Sequence, residues 1–262
     1  MSESNVLIRQ EDSILEVTVN RPKANAIDTA TSKELGEVFC SFRDDDALRV
    51  AIVTGSGDKF FSAGWDLKEA ASGAAELDGD YGPGGFAGLC ELHDLNKPVI
   101  SAVNGYAVGG GFELALSGDL IIAAEHAQFF LPEIKVGVVA DAATFRLTRW
   151  IPRAVAIEML LTGRRMSAEE ALRWGLINQV VPLEQLMDSA RELARTIAEG
   201  APLVVTAVKE ILRKAENASV EECYHMMHTG EFEGYEKMKA SADAMEGPKA
   251  FAEKRDASWK GQ

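Results

Sequence analysis

The chain lacks the features that would direct it to a membrane, a secretion pathway or nucleic acid. No apolar run in its 262 residues approaches the roughly 20 residues that span a bilayer. The first ten residues have neither the basic start nor the apolar stretch of a secretory signal. A net charge of −14 offers no basic face to a phosphate backbone. We therefore expect neither a membrane nor a nucleic acid among its partners.

Cysteine is scarce and widely spaced. Cys40, Cys90 and Cys223 form no Cys-x-x-Cys pair, which indicates reduced thiols and a cytoplasmic protein. Cys223, His225 and His228 lie close in sequence, but no further ligand cluster accompanies them, so we predict no metal site. The chain also has no Gly-x-Ser-x-Gly elbow, His-Glu-x-x-His motif or Walker loop.

What is present is an alternation of strands and helices that gives way to a helical tail, which predicts an α/β protein. The region 1–199 is predicted as the core, the region 200–262 as a separate helical region, and Ser72–Gly85 as a surface loop. The predicted strands are Val6–Arg9, Ile14–Val19, Val50–Thr54, Val99–Val103, Leu120–Ala124 and Phe129–Leu131; the predicted helices are Thr29–Arg43, Pro152–Thr162, Ala168–Trp174, Glu184–Glu199, Pro202–Ala215 and Val220–Thr229.

The stretch Lys97–Ser117 carries the strongest chemical signal. It combines a buried strand, the turn dipeptide Asn104-Gly105, three glycines at 109–111 and a helix. Glycines at a helix entrance leave backbone N–H groups bare, and the helix dipole adds positive charge there. Glu113 follows in the first turn. This pattern predicts donors for a developing oxyanion beside a carboxylate that can move a proton.

Two other interpretations fit a strand–glycine–helix unit: a dinucleotide turn, or simple close packing. The glycines at 105, 109, 110 and 111 do not fit Gly-x-Gly-x-x-Gly in register, which disfavours the dinucleotide turn. Close packing remains open from this stretch alone. A second strand-to-helix turn with a central glycine occurs at Phe60–Lys68, where a helix is predicted to begin near Asp66.

Three spaced motifs resemble the crotonase (enoyl-CoA hydratase/isomerase) superfamily. They are Asn104-Gly105-x-x-x-Gly109-Gly110-Gly111-x-Glu113, Ser62-Ala63-Gly64-x-Asp66 and Pro132-Glu133, and the resemblance covers essentially the whole chain. Within the superfamily the chain looks most like the carnitinyl-CoA dehydratases. That closer likeness lies in Arg21–Asp28, Phe60–Lys68, Gly82–Leu89, Gly163–Met166 and Ala171–Gly175.

The resemblance implies a spiral of strand–strand–helix repeats whose C-terminal helices pack subunits into trimers, often paired as hexamers. It also implies an acyl-CoA thioester substrate whose carbonyl oxygen accepts hydrogen bonds from the N–H groups of Trp65 and Gly110. The family's two catalytic glutamates correspond to Glu113 and Glu133. For CoA binding the likeness points to Lys23, Ala24, Ala63, Asp66, Leu67, Lys68, Gly109, Phe251 and Lys254.

The implied reaction is the addition of water to an α,β-unsaturated thioester, or the reverse dehydration, most closely of a crotonobetainyl/carnitinyl-CoA pair. Two fixed N–H donors would stabilise the enolate oxygen. Glu113 is assigned to the water and Glu133 to the α-proton, and such a pair should titrate as a unit with one carboxyl protonated. No metal or redox cofactor is expected. The candidates for contact with a trimethylammonium group are Trp65, Phe86, Phe112, Phe130 and Trp150.

One segment departs from the family pattern. The family has Gly-x-x-Pro and a glycine pair after the second glutamate, whereas residues 137–146 here contain neither that proline nor the pair. Since this loop borders the acyl tail in the family, two alternatives stay open. The protein could be a general enoyl-CoA hydratase or isomerase, or it could be a non-catalytic acyl-CoA binder.

Overall fold

A computed structural model describes residues 4–73 and 79–262. Of the loop predicted over Ser72–Gly85, residues 74–78 lie outside the described residues. The rest of the chain alternates strands and helices up to residue 198 and is helical beyond it. The α/β class is therefore confirmed.

The strands are short, and most lie in the first half of the chain. In chain order they are β1 (Val6–Glu11), β2 (Ile14–Val19), β3 (Ala26–Ile27), β4 (Val50–Gly55), β5 (Phe60–Ser62), β6 (Gly64–Trp65), β7 (Val99–Val103), β8 (Tyr106–Val108), β9 (Leu120–Ala124), β10 (Gln128–Phe130), β11 (Met166–Ser167) and β12 (Gln179–Val181).

Helices follow the strands and then take over the second half. They are α1 (Thr29–Asp44), α2 (Leu67–Ala71), α3 (Gly110–Ser117), α4 (Glu133–Val136), α5 (Asp141–Trp150), α6 (Arg153–Thr162), α7 (Ala168–Arg173), α8 (Leu186–Ala198), α9 (Pro202–Ala215), α10 (Val220–Thr229), α11 (Glu233–Ala240) and α12 (Glu246–Glu253). No described helix is long and apolar enough to cross a bilayer.

From β4 onward, successive turns of the chain add one strand to each of two sheets. The larger sheet has the order β1-β2-β4-β7-β9-β12 and is parallel from β2 onward; the smaller has the order β11-β10-β8-β5. A further parallel pair, β3-β6, lies beside them. Each turn ends in a helix that precedes the next strand of the larger sheet. This is the predicted spiral of strand–strand–helix units.

The larger sheet is covered on both faces, which explains why its central strands are apolar throughout. All six residues of β4 are buried. Alternate residues along it enter two separate clusters: Ala51 and Val53 join the main core with α1 and α3, while Val50 and Ile52 pack against α8. The main core extends to the elements that hold the candidate site.

The structure adds elements that local sequence patterns do not reveal. The strand β8 lies between the Asn104-Gly105 turn and α3, where a turn leading straight into the helix was predicted, and that part of the prediction is wrong. Its three residues are too few to show alternation. Helix α9 begins at Pro202, at the predicted start of the tail. The tail continues as α11 and α12 beyond the helices predicted individually.

Candidate active site

The smaller sheet brings two glutamate-bearing helices together. Strands β8 and β10 are parallel, with Val108 opposite Phe130, so their carboxyl ends meet at one edge. There the Gly109 N–H donates to the Phe130 carbonyl oxygen at 2.9 Å. Glu133 begins α4 just beyond, and a Cβ placed on Gly109 would lie 2.5 Å from Glu133 Oε1. Helix α4 therefore starts directly against the entrance of α3.

The strand β6 lies against the same entrance. Gly64 has a φ of +78°, and a Cβ placed on it would lie 2.6 Å from the Gly110 nitrogen and 2.9 Å from the Gly111 nitrogen. Gly110 is the first residue of α3, a position whose N–H has no partner within the helix. Trp65 follows Gly64 directly. The backbone amides at 65 and 110 are therefore held on adjoining segments, and both residues line one cavity.

Glu113 is a buried acid on the first turn of α3. Only 6% of the residue is exposed, and its Oε1 accepts a hydrogen bond from the Ala143 N–H at 2.9 Å. Burial raises the pKa of this carboxyl from an ordinary 4.5 to about 8; the nearby Asp141 and Glu133 charges act in the same direction, and the Ala143 hydrogen bond opposes them. The raised pKa favours the protonated form of this carboxyl at neutral pH.

Glu133 is the second acid of the site. Burial raises the pKa of its carboxyl, its own backbone N–H partly opposes the shift, and the negative charge of Asp141 adds to it. Its Oε2 is buried and has no hydrogen-bond partner among the described residues. Because an unused buried acceptor is costly, this oxygen is suited to a donor brought by a ligand.

Both glutamates line a cavity of about 370 Å³. None of the described lining residues is basic. The lining residues are Ala63, Trp65, Leu67, Gly79, Tyr81, Phe86, Glu91, Gly109, Gly110, Glu113, Pro132, Glu133, Val136, Val138, Val139 and Asp141. A larger cavity of about 560 Å³ lies between the core and the C-terminal helices, and no predicted site residue lines it.

The cavity collects about half of the predicted site residues. Seven of them line it: Ala63, Trp65, Leu67, Gly109, Gly110, Glu113 and Glu133. Six do not: Lys23, Ala24, Asp66, Lys68, Phe251 and Lys254.

The six residues outside the cavity differ in their surroundings. The Ala24 carbonyl accepts the Ala63 N–H at 2.9 Å, so the loop bearing Lys23 adjoins the cavity wall. Asp66 caps α2 and pairs with Arg21 at 2.9 Å, which is sufficient structural reason for an acid at that position. Lys68 is exposed on α2. Phe251 is 88% exposed on α12, and Lys254 is the C-cap residue of that helix. Their contacts with CoA remain predictions.

The structure separates the aromatic candidates for a cationic acyl group. Trp65 and Phe86 line the cavity. Phe112 is fully buried in the core, and Trp150 packs on that core from outside. The Phe130 ring lies under the Arg165 guanidinium, 4.8 Å from ring centroid to cation. Only the first two are placed to meet an acyl chain in this cavity.

Sequence reasoning missed three polar side chains of the cavity: Tyr81, Glu91 and Asp141. Tyr81 precedes a stretch that carried the closer family likeness, and its ring meets Phe86 edge to face at 5.6 Å. Asp141 lies in the segment 137–146 that departs from the family pattern. Val138 and Val139 of that segment also line the cavity, as its expected position beside the acyl tail implies.

The cysteine and histidine residues near the C-terminus do not gather into a ligand set. Cys223, His225 and His228 lie on α10. Throughout the described ranges 4–73 and 79–262, no group of three or more His, Cys, Asp or Glu side chains is placed to hold a metal ion.

Similarity to known proteins extends over nearly the whole chain. Residues 9–262 match the family described as enoyl-CoA hydratase/isomerase. A protein of Salmonella arizonae named carnitinyl-CoA dehydratase is 61% identical over 262 residues, covering 100% of both chains. A Citrobacter koseri protein of the same name is 59% identical over 263 residues, again with 100% of both covered.

Solved structures agree in fold. An enoyl-CoA hydratase from Mycobacterium tuberculosis superposes with a TM-score of 0.90 at 39% identity, covering 99% of this chain and 100% of that one. An enoyl-CoA hydratase from Bacillus anthracis gives a TM-score of 0.89 at 34% identity over 99% of this chain and 100% of its own.

Proposed function

The chain belongs to the enoyl-CoA hydratase/isomerase family, and from that premise we propose that it is a hydro-lyase that interconverts crotonobetainyl-CoA and L-carnitinyl-CoA. The observation that carries the proposal is the cavity shared by Glu113, Glu133 and the residues of the two candidate oxyanion amides. Full-length relatives named carnitinyl-CoA dehydratase support the choice of acyl group.

The proposed chemistry centres on the thioester oxygen. Removing the α-proton of a β-hydroxyacyl thioester places negative charge on that oxygen. The N–H groups of Trp65 and Gly110 stabilise this charge, and the start of α3 adds its dipole. One fixed donor of this kind is worth roughly 3 kcal/mol of barrier. The CoA portion serves as part of the substrate, and Lys23, Lys68 and Lys254 supply positive charge for its phosphates.

The two glutamates divide the proton transfers. In dehydration, the Glu133 carboxylate removes the α-proton and the Glu113 carboxylic acid protonates the leaving β-hydroxyl, which departs as water. Hydration runs the same steps backwards: Glu113 takes the proton of the adding water and Glu133 delivers one to the α-carbon. The raised pKa of Glu113, about 8, supports this division, because the acid that protonates the hydroxyl must hold a proton at neutral pH.

The residues that line the cavity favour a substrate whose acyl group carries a positive charge. Trp65, Tyr81 and Phe86 line it, and aromatic faces attract quaternary ammonium groups. No lining residue among those described carries a positive charge that would repel one. An ordinary enoyl chain is uncharged and gains no cation–π contact from these rings.

Steady-state assays with two thioesters test the substrate. We expect the purified protein to hydrate crotonobetainyl-CoA with at least about tenfold higher kcat/KM than crotonyl-CoA, since a desolvated cation–π contact is worth about 2 kcal/mol. Loss of enoyl absorbance measures both rates. A preference for crotonyl-CoA would point to a general hydratase. No turnover of either, with CoA thioester binding retained, would point to the non-catalytic binder.

The C-terminal helices carry the features of a subunit interface. Val204, Val208 and Leu212 recur every four residues along α9 and are 43%, 50% and 68% exposed. On α10, Val220 and Tyr224 are 74% and 60% exposed. Contiguous exposed apolar side chains of this kind mark interaction surfaces. We propose that the region 200–262 joins copies of this chain into a homotrimer or a dimer of trimers.

A separate proposal concerns location. Cys40, Cys90 and Cys223 are free thiols, which supports a protein that works in the reducing cytoplasm.

Light scattering after size exclusion tests the assembly. We expect a mass of three or six chains of 28.3 kDa for the parent protein. The double variant Val208→Glu, Leu212→Glu should dissociate, because it buries two charges in the proposed interface. Ile8→Glu, at a residue 56% exposed on β1, is the matched control and should leave the mass unchanged. A monomeric parent would refute the proposal.

A further inference from the structure

A third carboxyl group belongs to the cavity of the two glutamates. Asp141 is the first residue of α5 and lines the cavity together with Glu113 and Glu133. The three acids thus stand at the starts of three helices, α3, α4 and α5, that converge on one space. The proposed reaction uses only two of them, which leaves Asp141 without an assigned role.

Asp141 and Glu113 share the amino end of one helix. The N-cap residue of α5 is Ala140, whose side chain offers no acceptor for the first amides. Asp141 Oδ1 accepts the Ala142 N–H at 2.6 Å, and Glu113 Oε1 accepts the Ala143 N–H at 2.9 Å. Two acid groups on consecutive amides are near enough that their charges oppose each other, as the effect of Asp141 on the pKa of Glu113 also indicates.

The surroundings decide which of the two acids is ionised. Asp141 is exposed, so water solvates a negative charge there. Glu113 is only 6% exposed, so its ionised form is destabilised by the loss of solvating water. Negative charge is therefore better solvated at the position of Asp141 than at that of Glu113. From this geometry we propose that Asp141 is a positioning residue that holds the proton of the catalytic pair on Glu113. The inference rests on the proposed function, since it assigns the proton that dehydration delivers to the leaving hydroxyl.

Other titratable groups around Glu113 do not replace Asp141. Burial raises the pKa of Cys90 to about 12 and also raises that of the Tyr81 hydroxyl, so both are neutral at pH 7. The Arg146 guanidinium donates to the carbonyl oxygens of Cys90 at 2.6 Å and Leu116 at 3.3 Å. Glu133 acts on Glu113 in the same direction as Asp141, with a smaller effect.

Glu91 supplies a matched control within the same cavity. It lines the cavity, but its carboxylate lies against Gly85. It has no hydrogen bond with the first turn of that helix among the described residues. Removing the charge of Glu91 therefore tests whether any acid in the cavity changes the titration midpoint of Glu113, or whether Asp141 alone does so.

Carboxyl NMR of the full-length protein tests the inference without relying on turnover. Glutamate labelled with ¹³C at Cδ reports each side chain, and the Glu113 signal is the one lost in Glu113→Gln. We expect it to titrate near pH 8 in the parent and at least about half a pH unit lower in Asp141→Asn. Asp141→Glu, which keeps the charge, should restore the parent midpoint, and Glu91→Gln should not change it.

The outcomes separate this inference from the proposed function. An Asp141→Asn midpoint equal to that of the parent overturns the role of Asp141, whichever thioester is turned over. A lowered midpoint supports it even if neither thioester reacts, in which case only the proposed reaction fails. For an active protein, the alkaline limb of the kcat/KM profile for dehydration of L-carnitinyl-CoA, in which Glu113 is the acid, should move with the midpoint. A purely structural role would lower kcat/KM without moving that limb.

Discussion

Replacing Glu113 by glutamine is expected to lower kcat for the hydration of crotonobetainyl-CoA by about 10³-fold, within the range that a positioned general acid–base group contributes. Glutamine keeps the Oε1 acceptor that the Ala143 N–H uses at 2.9 Å, so the local geometry survives. What it removes is the carboxylate that takes the proton of the adding water. Initial rates at saturating thioester measure the loss, and a variant within tenfold of the parent would refute the assignment of Glu113.

The matched control for this prediction is Glu192→Gln, which neutralises an exposed carboxylate on α8, away from the cavity. It should leave kcat unchanged. A loss shared by both variants would mean that overall charge, rather than proton transfer by Glu113, governs the rate.

The same Glu113 substitution should cost no stability at neutral pH, which separates lost chemistry from lost folding. A folded-state pKa of about 8 lies above the ordinary 4.5, so the native protein retains a proton that the unfolded chain releases between those values. The parent therefore loses free energy of unfolding as pH rises through this window, by up to roughly 1.4 kcal/mol per unit. Glutamine does not titrate. Urea unfolding at pH 5 and pH 8 should show that the free energy of unfolding of the variant, relative to that of the parent, is larger at pH 8.

Local sequence patterns identified individual site residues, but they do not show which of these residues lie close together in space. Glu113 and Gly110 are three residues apart at a helix start, so their proximity follows from local geometry. Glu133 is 20 positions beyond Glu113, and what brings it close is the parallel pairing of Val108 with Phe130. That pairing depends on β8, whose three residues give no periodic signal. The closeness of the two glutamates was therefore expected from the family resemblance, because local propensity carries no information on long-range register.

The polar residues that were missed show a second limit. Asp141 was visible in the sequence only as part of a segment that departs from the family pattern. Its importance depends on α5 beginning at that residue, with the Ala143 N–H of this helix donating to Glu113 on another helix. Tyr81 likewise enters the cavity from a loop, where no helical or strand period fixes the direction of a side chain. Loops bearing function are placed by the scaffold around them.

Replacing Gly64 by alanine is expected to lower kcat/KM by at least about 10²-fold, because it crowds the oxyanion site from within. The new methyl group would lie 2.6 Å from both the Gly110 nitrogen and the Val108 carbonyl oxygen. All of these neighbours are backbone atoms, which cannot swing aside as a flexible side chain can. The segments bearing the Trp65 and Gly110 amides must therefore move apart, and two donors that converge on one oxygen lose their alignment.

Gly57→Ala separates this crowding from backbone strain. Gly57 has a φ of +79°, almost the same as the +78° of Gly64, yet a Cβ placed on it meets nothing within 4 Å. The left-handed conformation should cost each variant about 1 kcal/mol of stability. Gly64→Ala should lose more stability than Gly57→Ala because of the added crowding, and only Gly64→Ala should lose turnover. Thermal unfolding and kcat/KM, measured on the same preparations, distinguish the effect of crowding from that of backbone strain. Equal loss of activity in the two variants would show that strain alone disables the enzyme. A Gly64→Ala variant within twofold of the parent would mean that the amides at 65 and 110 do not act together on the thioester oxygen.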